Sequence, residues 1–257
     1  MAFGAIMGQT PLVETSPLDR IGLYQILGKG SGTWTPQQTG NYLVIVIGPG
    51  GDGGQGYGNA YSVYASSGAG GGSGGVAVFK LKLDNLNSYP YEITNTYSKF
   101  NNQVTCNSGE SGENGQLQKE SKGGAGGSVE SSIELLLKAN GLNGESGKSM
   151  PLGNESLGEP NKGASLPLIL NFPLLYGGKA GILLGTIQNP FTVKIIKGMD
   201  NTVFKETGLV YSGGVGMGGD GNPSYTSSSS NQFPVVSAYT KGKGGDGAII
   251  IQYLGKD

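Results

Sequence analysis

A short acidic tetrapeptide recurs along this chain of 257 residues. GGDG occurs three times, at residues 50–53, 218–221 and 244–247. Aspartates among glycines are used to bind calcium, and glycine-rich loops are used to hold phosphate. The repeated tetrapeptide therefore has three candidate explanations, which are a calcium site, a phosphate site and a structural turn.

The spacing of the three tetrapeptides favours the turn. Calcium-binding β-roll repeats have the form G-G-x-G-x-D and run in tandem, so that each turn completes the site of its neighbour. Here the aspartate directly follows two glycines, the copies lie far apart, and none has the lysine-bearing loop of a P-loop. We therefore predict no metal site. In the expected turn the glycines supply positive φ. The aspartate of each tetrapeptide, which is Asp52, Asp220 or Asp246, accepts a hydrogen bond from a nearby amide.

Residues that would serve an enzyme are scarce or isolated. Histidine is absent, which removes the commonest general base and metal ligand. The single cysteine, Cys106, has no histidine to activate it as a nucleophile. A glycosidase needs two carboxylates that face each other, and nothing pairs the glutamates of the polar loops: Glu110, Glu113, Glu120, Glu145, Glu155 and Glu159. We predict no catalytic residue and no cofactor, and we interpret these glutamates as solvated loop charges.

Tyrosines are the strongest candidates for binding. Tyr57, Tyr61 and Tyr64 lie in the stretch GYGNAYSVY, which is rich in glycine, asparagine and serine. Recognition loops have this composition, because tyrosine offers rigid amphipathic contact area at low entropic cost. Tyr211 and Tyr225 have similar neighbours, so we predict that all five contribute to binding. The alternative is that these rings only cover the ends of the fold.

The composition indicates a folded, glycine-rich protein. Fifty residues are glycine, 36% are hydrophobic and the net charge is −1. Clustered apolar residues and low charge argue against disorder, and the glycines lack the strict spacing of collagen. A near-neutral surface also argues against nucleic acid as the partner. No apolar run approaches the ~20 residues that span a bilayer, so we expect no membrane insertion.

Short strands dominate the secondary-structure pattern. Residues 41–47 (NYLVIVI) form a dense apolar run, as in a strand buried on both faces. In residues 76–83 (VAVFKLKL), Phe79 and Leu83 share one face while Lys80 faces the other side. Further strands are expected at residues 89–94, 191–195 and 248–254. The sequence therefore predicts an all-β fold with sandwich-like layers.

One stretch has both helical and strand character. Residues 128–141 (SVESSIELLLKANG) carry capping signals, with Ser131 three residues before Glu134 and a glycine at the end. Ile133, Leu135 and Leu137 also alternate with their neighbours as in a strand. We favour a strand, since everything around it is β.

Glycine is concentrated in blocks between the strands. Residues 48–75 hold 13 glycines in 28 positions, whereas residues 128–210 hold only 12 in 83. Because ordering glycine costs entropy, ordered blocks are expected only where backbones must approach closely. Stacked polyglycine II helices satisfy this requirement, and flexible loops are the alternative.

The series of elements resembles a known kind of protein. TWTPQQTG leads into NYLVIVIGPGGDGG, then GGSGGVAVFKLKL, SYPYEIT and finally GKGGDGAIIIQYLG. This order is similar to that of the glycine-rich domain of bacteriophage and prophage tail proteins, including the fibre-tip adhesins of T-even-like phages. The resemblance covers roughly residues 30–127 and 211–255, and the segment 128–210 is poorer in glycine than the family pattern.

The resemblance implies a non-enzymatic component of the virion, made in the bacterial cytoplasm and located at the tail tip or baseplate. Its expected role is adhesion to a glycan or protein receptor on the host. Expected partners are other tail, baseplate or fibre proteins and further copies of the chain, for example in a trimer. We assign residues 1–31 to a leader that attaches the protein and residues 32–257 to the glycine-rich β domain. A purely structural cap and a polysaccharide depolymerase are the alternatives.

Overall fold

The computed structural model describes these residues: 24–58, 64–116, 119–151, 156–157, 161–167, 187–197, 202–213, 215–219, 221, 225–226, 232–235 and 241–256. Within these ranges the fold is all-β and contains no helix, as the sequence predicts. No described helix is therefore long and apolar enough to cross a membrane. The strands are β1 (Tyr24–Leu27), β2 (Gly30–Trp34), β3 (Gly40–Ile47), β4 (Tyr57–Gly58), β5 (Tyr64–Ser66), β6 (Val76–Leu83), β7 (Tyr89–Ile93), β8 (Tyr97–Phe100), β9 (Val104–Asn107), β10 (Val129–Ser131), β11 (Leu137–Ala139), β12 (Ser149–Pro151), β13 (Ser156–Leu157), β14 (Ile187–Lys197), β15 (Thr202–Ser212), β16 (Tyr225–Thr226), β17 (Gln232–Val235) and β18 (Ala248–Gly255).

Two antiparallel five-stranded sheets form the body of the fold, which we call the two-sheet body. The first sheet has the order β1-β18-β3-β6-β11 and the second has the order β10-β9-β8-β7-β2. In the first sheet β3 pairs with both β6 and β18, with Ile45 opposite Val78 and Ile250. The run at residues 41–47 is buried along almost its whole length, which confirms the predicted strand that is buried on both faces.

The two sheets share one apolar core. It contains Val44, Phe79 and Ile251 from the first sheet, and Ile93 and Phe100 from the second. The opposite face of the first sheet is also buried and forms a second cluster: Leu43, Ile45, Ile47, Val76, Val78 and Ile250. In β6 the predicted alternation is present, because Lys80 is exposed whereas Leu83 is buried.

The chain passes from one sheet to the other at two edges of the body, and also between β2 and β3 and between β6 and β7. At one edge β1 belongs to the first sheet and β2 to the second, and Gly30, the first residue of β2, has φ +139°, a conformation that glycine tolerates best. At the opposite edge β10 belongs to the second sheet and β11 to the first. The ambiguous stretch at 128–141 therefore forms two short strands, as favoured, and no helix. Residues 24–31, which the sequence assigns to the leader, contribute β1 and the start of β2, and residues 1–23 lie outside the described residues.

Glycine-rich segments continue from the ends of the strands. We call them the glycine segments, and they span residues 48–55, 67–75, 107–115, 121–128, 140–148, 161–164, 213–221 (apart from Gly214 and Asp220) and 242–247. They are bonded to one another by backbone N–H···O=C hydrogen bonds of 2.7–3.1 Å. We call this hydrogen-bonded set the glycine bundle.

The segment at 67–75 is the centre of the bundle and has six neighbours. Its amides donate to three of them at intervals of three residues. The amides of residues 69, 72 and 75 donate to the segment at 107–115, and those of residues 67, 70 and 73 donate to the segment at 140–148. The amides of residues 71 and 74 donate to the segment at 213–221. Its carbonyls accept from the three other segments, 48–55, 121–128 and 161–164. Three residues per turn is the repeat of a polyproline-II-type helix, and the hydrogen bonds of this segment have that spacing.

Close approach explains why these positions are glycine. A Cβ atom at Gly72 would overlap the carbonyl oxygen of Ala125, and one at Gly70 would overlap that of Lys162. Backbone atoms cannot move aside as a flexible side chain can. Packing one segment against six neighbours therefore requires glycine, although ordering glycine costs conformational entropy.

The less glycine-rich part of the chain contributes further strands. β14 and β15 form a long antiparallel hairpin in which Phe191 lies opposite Gly208, and β17 pairs with the other edge of β14. The strand predicted at residues 191–195 lies within β14. Residues 168–186, which contain the apolar stretch LILNFPLL (168–175), lie outside the described residues.

Candidate functional site

The glycine segments carry the chain away from the two-sheet body. Gly48 donates to Gly75 beside the body, where β3 ends and β6 begins, and Gly54 donates to Ala69 farther along the same pair. Beyond them β4, β5 and β12 form a small sheet. We call this region, opposite the two-sheet body, the distal end.

The structure brings part of the predicted tyrosine set to the distal end. Tyr57 is in β4 opposite Ser66, and Tyr64 is in β5 opposite Pro151. Tyr225 is in β16, which lies beside β5. The backbone thus places three of the five tyrosines in one region, while Tyr61 lies outside the described residues.

Tyr211 does not belong to the small sheet at the distal end. It is in β15 opposite Gln188, directly before the glycine segment at 213–221. That segment begins beside Lys243, whose carbonyl accepts from Gly213 and whose N–H donates to Ser212 Oγ, and it reaches the two-sheet body only at Gly216. Tyr211 therefore lies in a different sheet from Tyr57 and Tyr64.

Buried serines hold the chain where it enters the distal end. Ser66 Oγ accepts from the backbone N–H of Gln116 at 3.0 Å, and Ser67 Oγ accepts from that of Lys148 at 2.8 Å. Ser121 Oγ donates to the carbonyl of Ser67 at 2.8 Å. These three serines are at most 5% exposed. We call them the serine floor, since they bond three different glycine segments together beneath the distal strands.

The two described GGDG aspartates, Asp52 and Asp246, lie in glycine segments of the bundle and not in positive-φ turns. Among the described glycines, positive φ occurs only at Gly30, Gly216 and Gly255, so the expected positive-φ turns at Asp52 and Asp246 are wrong. The physical reason is that extended segments, packed side by side, need glycine for its small size and not for positive φ. Asp220 lies outside the described residues.

Each of the two described aspartates has hydrogen-bond and ion-pair partners within the protein. Asp52 Oδ1 accepts the N–H of Gly244 at 3.0 Å, an amide of a distant segment and not of a local turn, and Oδ2 lies 3.2 Å from Lys241 Nζ. Asp246 Oδ1 lies 3.1 Å from Lys29 Nζ. Among the described residues, no three acidic, cysteine or histidine side chains converge as metal ligands.

A recurring contact, which we call the Asx–Gly clamp, explains the aspartate in the first tetrapeptide. Gly53 donates its N–H to the carbonyl of Gly242, and Asp52 accepts from the amide two residues further along, that of Gly244. The two bonds attach one dipeptide to one neighbouring segment. Sequence inspection missed this role, although the repeated Asx-Gly dipeptide was its visible signal.

Two asparagines make the same clamp on the segment at 121–128. Gly141 donates to Gly127 while Asn140 Oδ1 accepts from Val129, at 2.8 and 3.3 Å. Asn143 Oδ1 accepts from the N–H of Gly126 at 3.0 Å, and Gly144 donates its N–H to the carbonyl of Gly124. The two-residue offset is identical in all three clamps.

Two of the loop glutamates have a related role. Glu113 Oε2 accepts the N–H of Lys122 at 3.0 Å, while its own N–H donates to the carbonyl of that lysine. Glu145 makes the same two bonds to Lys162, at 2.8 and 3.0 Å. Both glutamates are exposed, but they bind neighbouring amides and are not merely solvated. Glu155 and Glu159 lie outside the described residues.

A shallow cavity of about 350 Å³ lies on the second sheet, with Tyr91, Glu92 and Lys99 among its lining residues. Glu92 is the only carboxylate in that lining, and its Oε2 accepts from Tyr97 Oη at 2.7 Å. This hydrogen bond raises the pKa of Tyr97. A lone, hydrogen-bonded carboxylate lacks the facing partner of a glycosidase site.

Cys106 lies in the shared core, directly before the glycine segment at 107–115. Its Sγ donates to the carbonyl of Val46 at 3.3 Å, and the residue is fully buried. Burial raises the pKa of the thiol to about 12. A thiol that stays protonated at neutral pH is a poor nucleophile.

A scan against known protein families and a search of curated proteins found no match to this chain. The functional interpretation therefore depends on the sequence pattern and on the geometry of the distal end.

Proposed function

We propose that this chain is a non-enzymatic tail-tip protein of a phage or phage-like particle, which adheres to the host surface through its distal end. The observation that supports the proposal is the separation between the two ends of the described chain and the distal tyrosines. β1 begins at Tyr24 opposite Gln252, and β18 ends at Gly255 beside the start of β3. Tyr24 and Gly255 therefore both lie towards the side of the body that is opposite the distal end.

The distance between the two ends is large for a chain of this size. An eight-residue strand such as β3 spans about 26 Å at about 3.3 Å per residue. A glycine segment of eight residues adds about 25 Å at about 3.1 Å per residue. With the N-terminal segment attached to the particle, the distal tyrosines project about 50 Å away, which suits contact with a cell surface.

The hydrogen bonds of the bundle support the same role. Recognition loops bind more tightly when their ends are held rigidly, because less conformational entropy is lost on binding. Here the serine floor and the clamps hold the chain on both sides of the distal strands. The glycine bundle is thus a rigid stalk in this proposal, and the distal loops supply specificity.

The test is the binding of purified protein to host cells. Wild-type protein is expected to bind cells and to block adsorption of the particle. Replacing Tyr57, Tyr61 and Tyr64 together by alanine should abolish both effects with an unchanged melting temperature. Tyr97→Ala is the matched control and should bind normally, since Tyr97 is in β8 of the two-sheet body.

Two outcomes distinguish the alternatives. If correctly folded wild-type protein neither binds cells nor blocks adsorption, the chain is a structural cap or baseplate component and the adhesin proposal is wrong. If host surface glycan incubated with the protein releases oligosaccharides, the chain is a depolymerase. Homo-oligomerisation, which symmetric tail tips require, is tested by the mass of the protein in solution.

A further inference from the structure

Three Asn-Gly dipeptides lie in the glycine bundle, at residues 114–115, 140–141 and 143–144. This dipeptide is chemically unstable in unfolded chains. The glycine nitrogen loses its proton and attacks the asparagine Cγ, a new N–Cγ bond forms, and ammonia leaves from the carboxamide. Water then opens the resulting succinimide ring at either C–N bond and gives aspartate or isoaspartate.

The bundle engages the attacking nitrogen in all three dipeptides. The amides of Gly115, Gly141 and Gly144 donate to neighbouring carbonyls at 2.7, 2.8 and 2.9 Å. Each nitrogen thus has its proton held against a carbonyl oxygen. Deprotonation and attack both require that this hydrogen bond breaks first.

The electrophilic side chain is held as well. Asn140 and Asn143 are the asparagines of the Asx–Gly clamps, and Asn114 Oδ1 accepts the N–H of Gln55 at 2.8 Å. Ring closure has to rotate the carboxamide onto the glycine nitrogen. In each dipeptide that rotation would break a second hydrogen bond to the neighbouring segment, although the asparagine side chains themselves are exposed.

We propose that Asn114, Asn140 and Asn143 are modification sites that the folded bundle keeps closed, and that they deamidate once the bundle opens. The two products have different consequences. Aspartate keeps a carboxylate acceptor, and Asp52 shows that an aspartate makes the same clamp. Isoaspartate adds a backbone carbon and shifts the following N–H out of the three-residue repeat. Prolonged opening of the bundle therefore becomes irreversible.

The first experiment measures deamidation of the full chain by peptide mapping at mildly alkaline pH, folded and in urea. The three sites should react more than about tenfold more slowly in the folded protein, because reaction then needs local opening. Asn102→Gly provides an internal control. It places a glycine after Asn101 in the β8–β9 turn, where Asn102 has φ +51°, so this new pair should react in the folded protein. Equal rates at the three native sites in folded and unfolded protein would overturn the proposal.

The second experiment measures refolding after increasing times in urea. The refolded fraction of the wild type should fall as isoaspartate accumulates. A variant with Asn114→Asp, Asn140→Asp and Asn143→Asp should refold in full after the same times, because a carboxylate is a poor electrophile for ring closure. An equal loss in both proteins would show that isoaspartate is not the cause of irreversibility.

Discussion

The carboxylate of Asp52 accepts the backbone N–H of Gly244 at 3.0 Å, which joins the first GGDG tetrapeptide to the third. The adjoining amide of Gly53 donates to Gly242 at 2.8 Å. The tetrapeptide is thus a structural unit in which glycines allow close approach and the aspartate satisfies an amide of the neighbouring segment. An amide without a partner would be costly wherever water is excluded.

The acceptor atom of Asp52, and not its charge, should determine its contribution to stability. Asp52→Ala removes the acceptor and is expected to lower the free energy of unfolding by about 1 kcal/mol. Asp52→Asn should have little effect, because Asn143 makes the same clamp with an amide oxygen. The ion pair with Lys241 is more than one-third exposed and should add little. Urea unfolding measures all three proteins, and an Asn variant as unstable as the Ala variant would contradict this assignment.

Calcium should leave the thermal stability unchanged. Asp52 and Asp246 each lie beside a lysine ammonium, and calcium needs six or more oxygen ligands. The measurement is the melting temperature with calcium and with a chelator. A melting temperature that rises in calcium and falls with chelator would establish a metal site that the described residues do not form.

Cys106 should make stability depend on alkaline pH. Its pKa is raised by burial from 9.0 to about 12, so the folded state favours the protonated thiol. Its contribution is fully present below pH 9 and is lost as the pH rises from 9 towards 12, where the unfolded thiol ionises first. Cys106→Ala should flatten this part of the profile relative to wild type. Identical alkaline slopes for both proteins in urea unfolding would refute the expectation.

The same burial predicts the chemical behaviour of the thiol. Cys106 should not react with an alkylating reagent at neutral pH while the protein is folded, and it should react at once in urea. The control is a small thiol under the same conditions. Rapid alkylation of the folded protein would show that the shared core opens far more readily than its packing implies.

The strands could be predicted from the sequence because their pattern is local. The core side of a strand can be recognised from the polarity of each side chain alone. The alternation of Phe79, Lys80 and Leu83 shows one buried face, and the apolar run at 41–47 shows two. The pairing of Gly72 with Glu110 has no such signal. It depends on which distant glycine segment lies alongside, and glycine has no side chain to identify its neighbour.

The candidate site was predictable only in part for a similar reason. Composition pointed to Tyr57, Tyr64 and Tyr225, and strand pairing brings their backbones to one end. The same composition also selected Tyr211, which belongs to a different sheet, that of β14, β15 and β17. Residue composition can identify a candidate binding loop, but the place of that loop in the fold depends on long-range strand pairing.

The central glycine segment should be the part of the chain least tolerant of added side-chain atoms. Gly72→Ala would place a Cβ on the carbonyl of Ala125, and the six surrounding segments leave that backbone no room to shift. We expect a loss of at least about 3 kcal/mol, comparable to severe overpacking of a core. Soluble yield and melting temperature measure the loss.

Two matched variants separate packing from a general sensitivity to substitution. Ala69 lies in the same segment and is fully buried, so Ala69→Gly changes composition without overlap and should cost about 1 kcal/mol or less. Gly32→Ala lies in β2, where the added Cβ would contact the Tyr91 ring at 3.4 Å, and it should be close to neutral. Packing in the bundle predicts that only Gly72→Ala causes a large loss. If Gly72→Ala melts at the wild-type temperature, the segments are not packed as described.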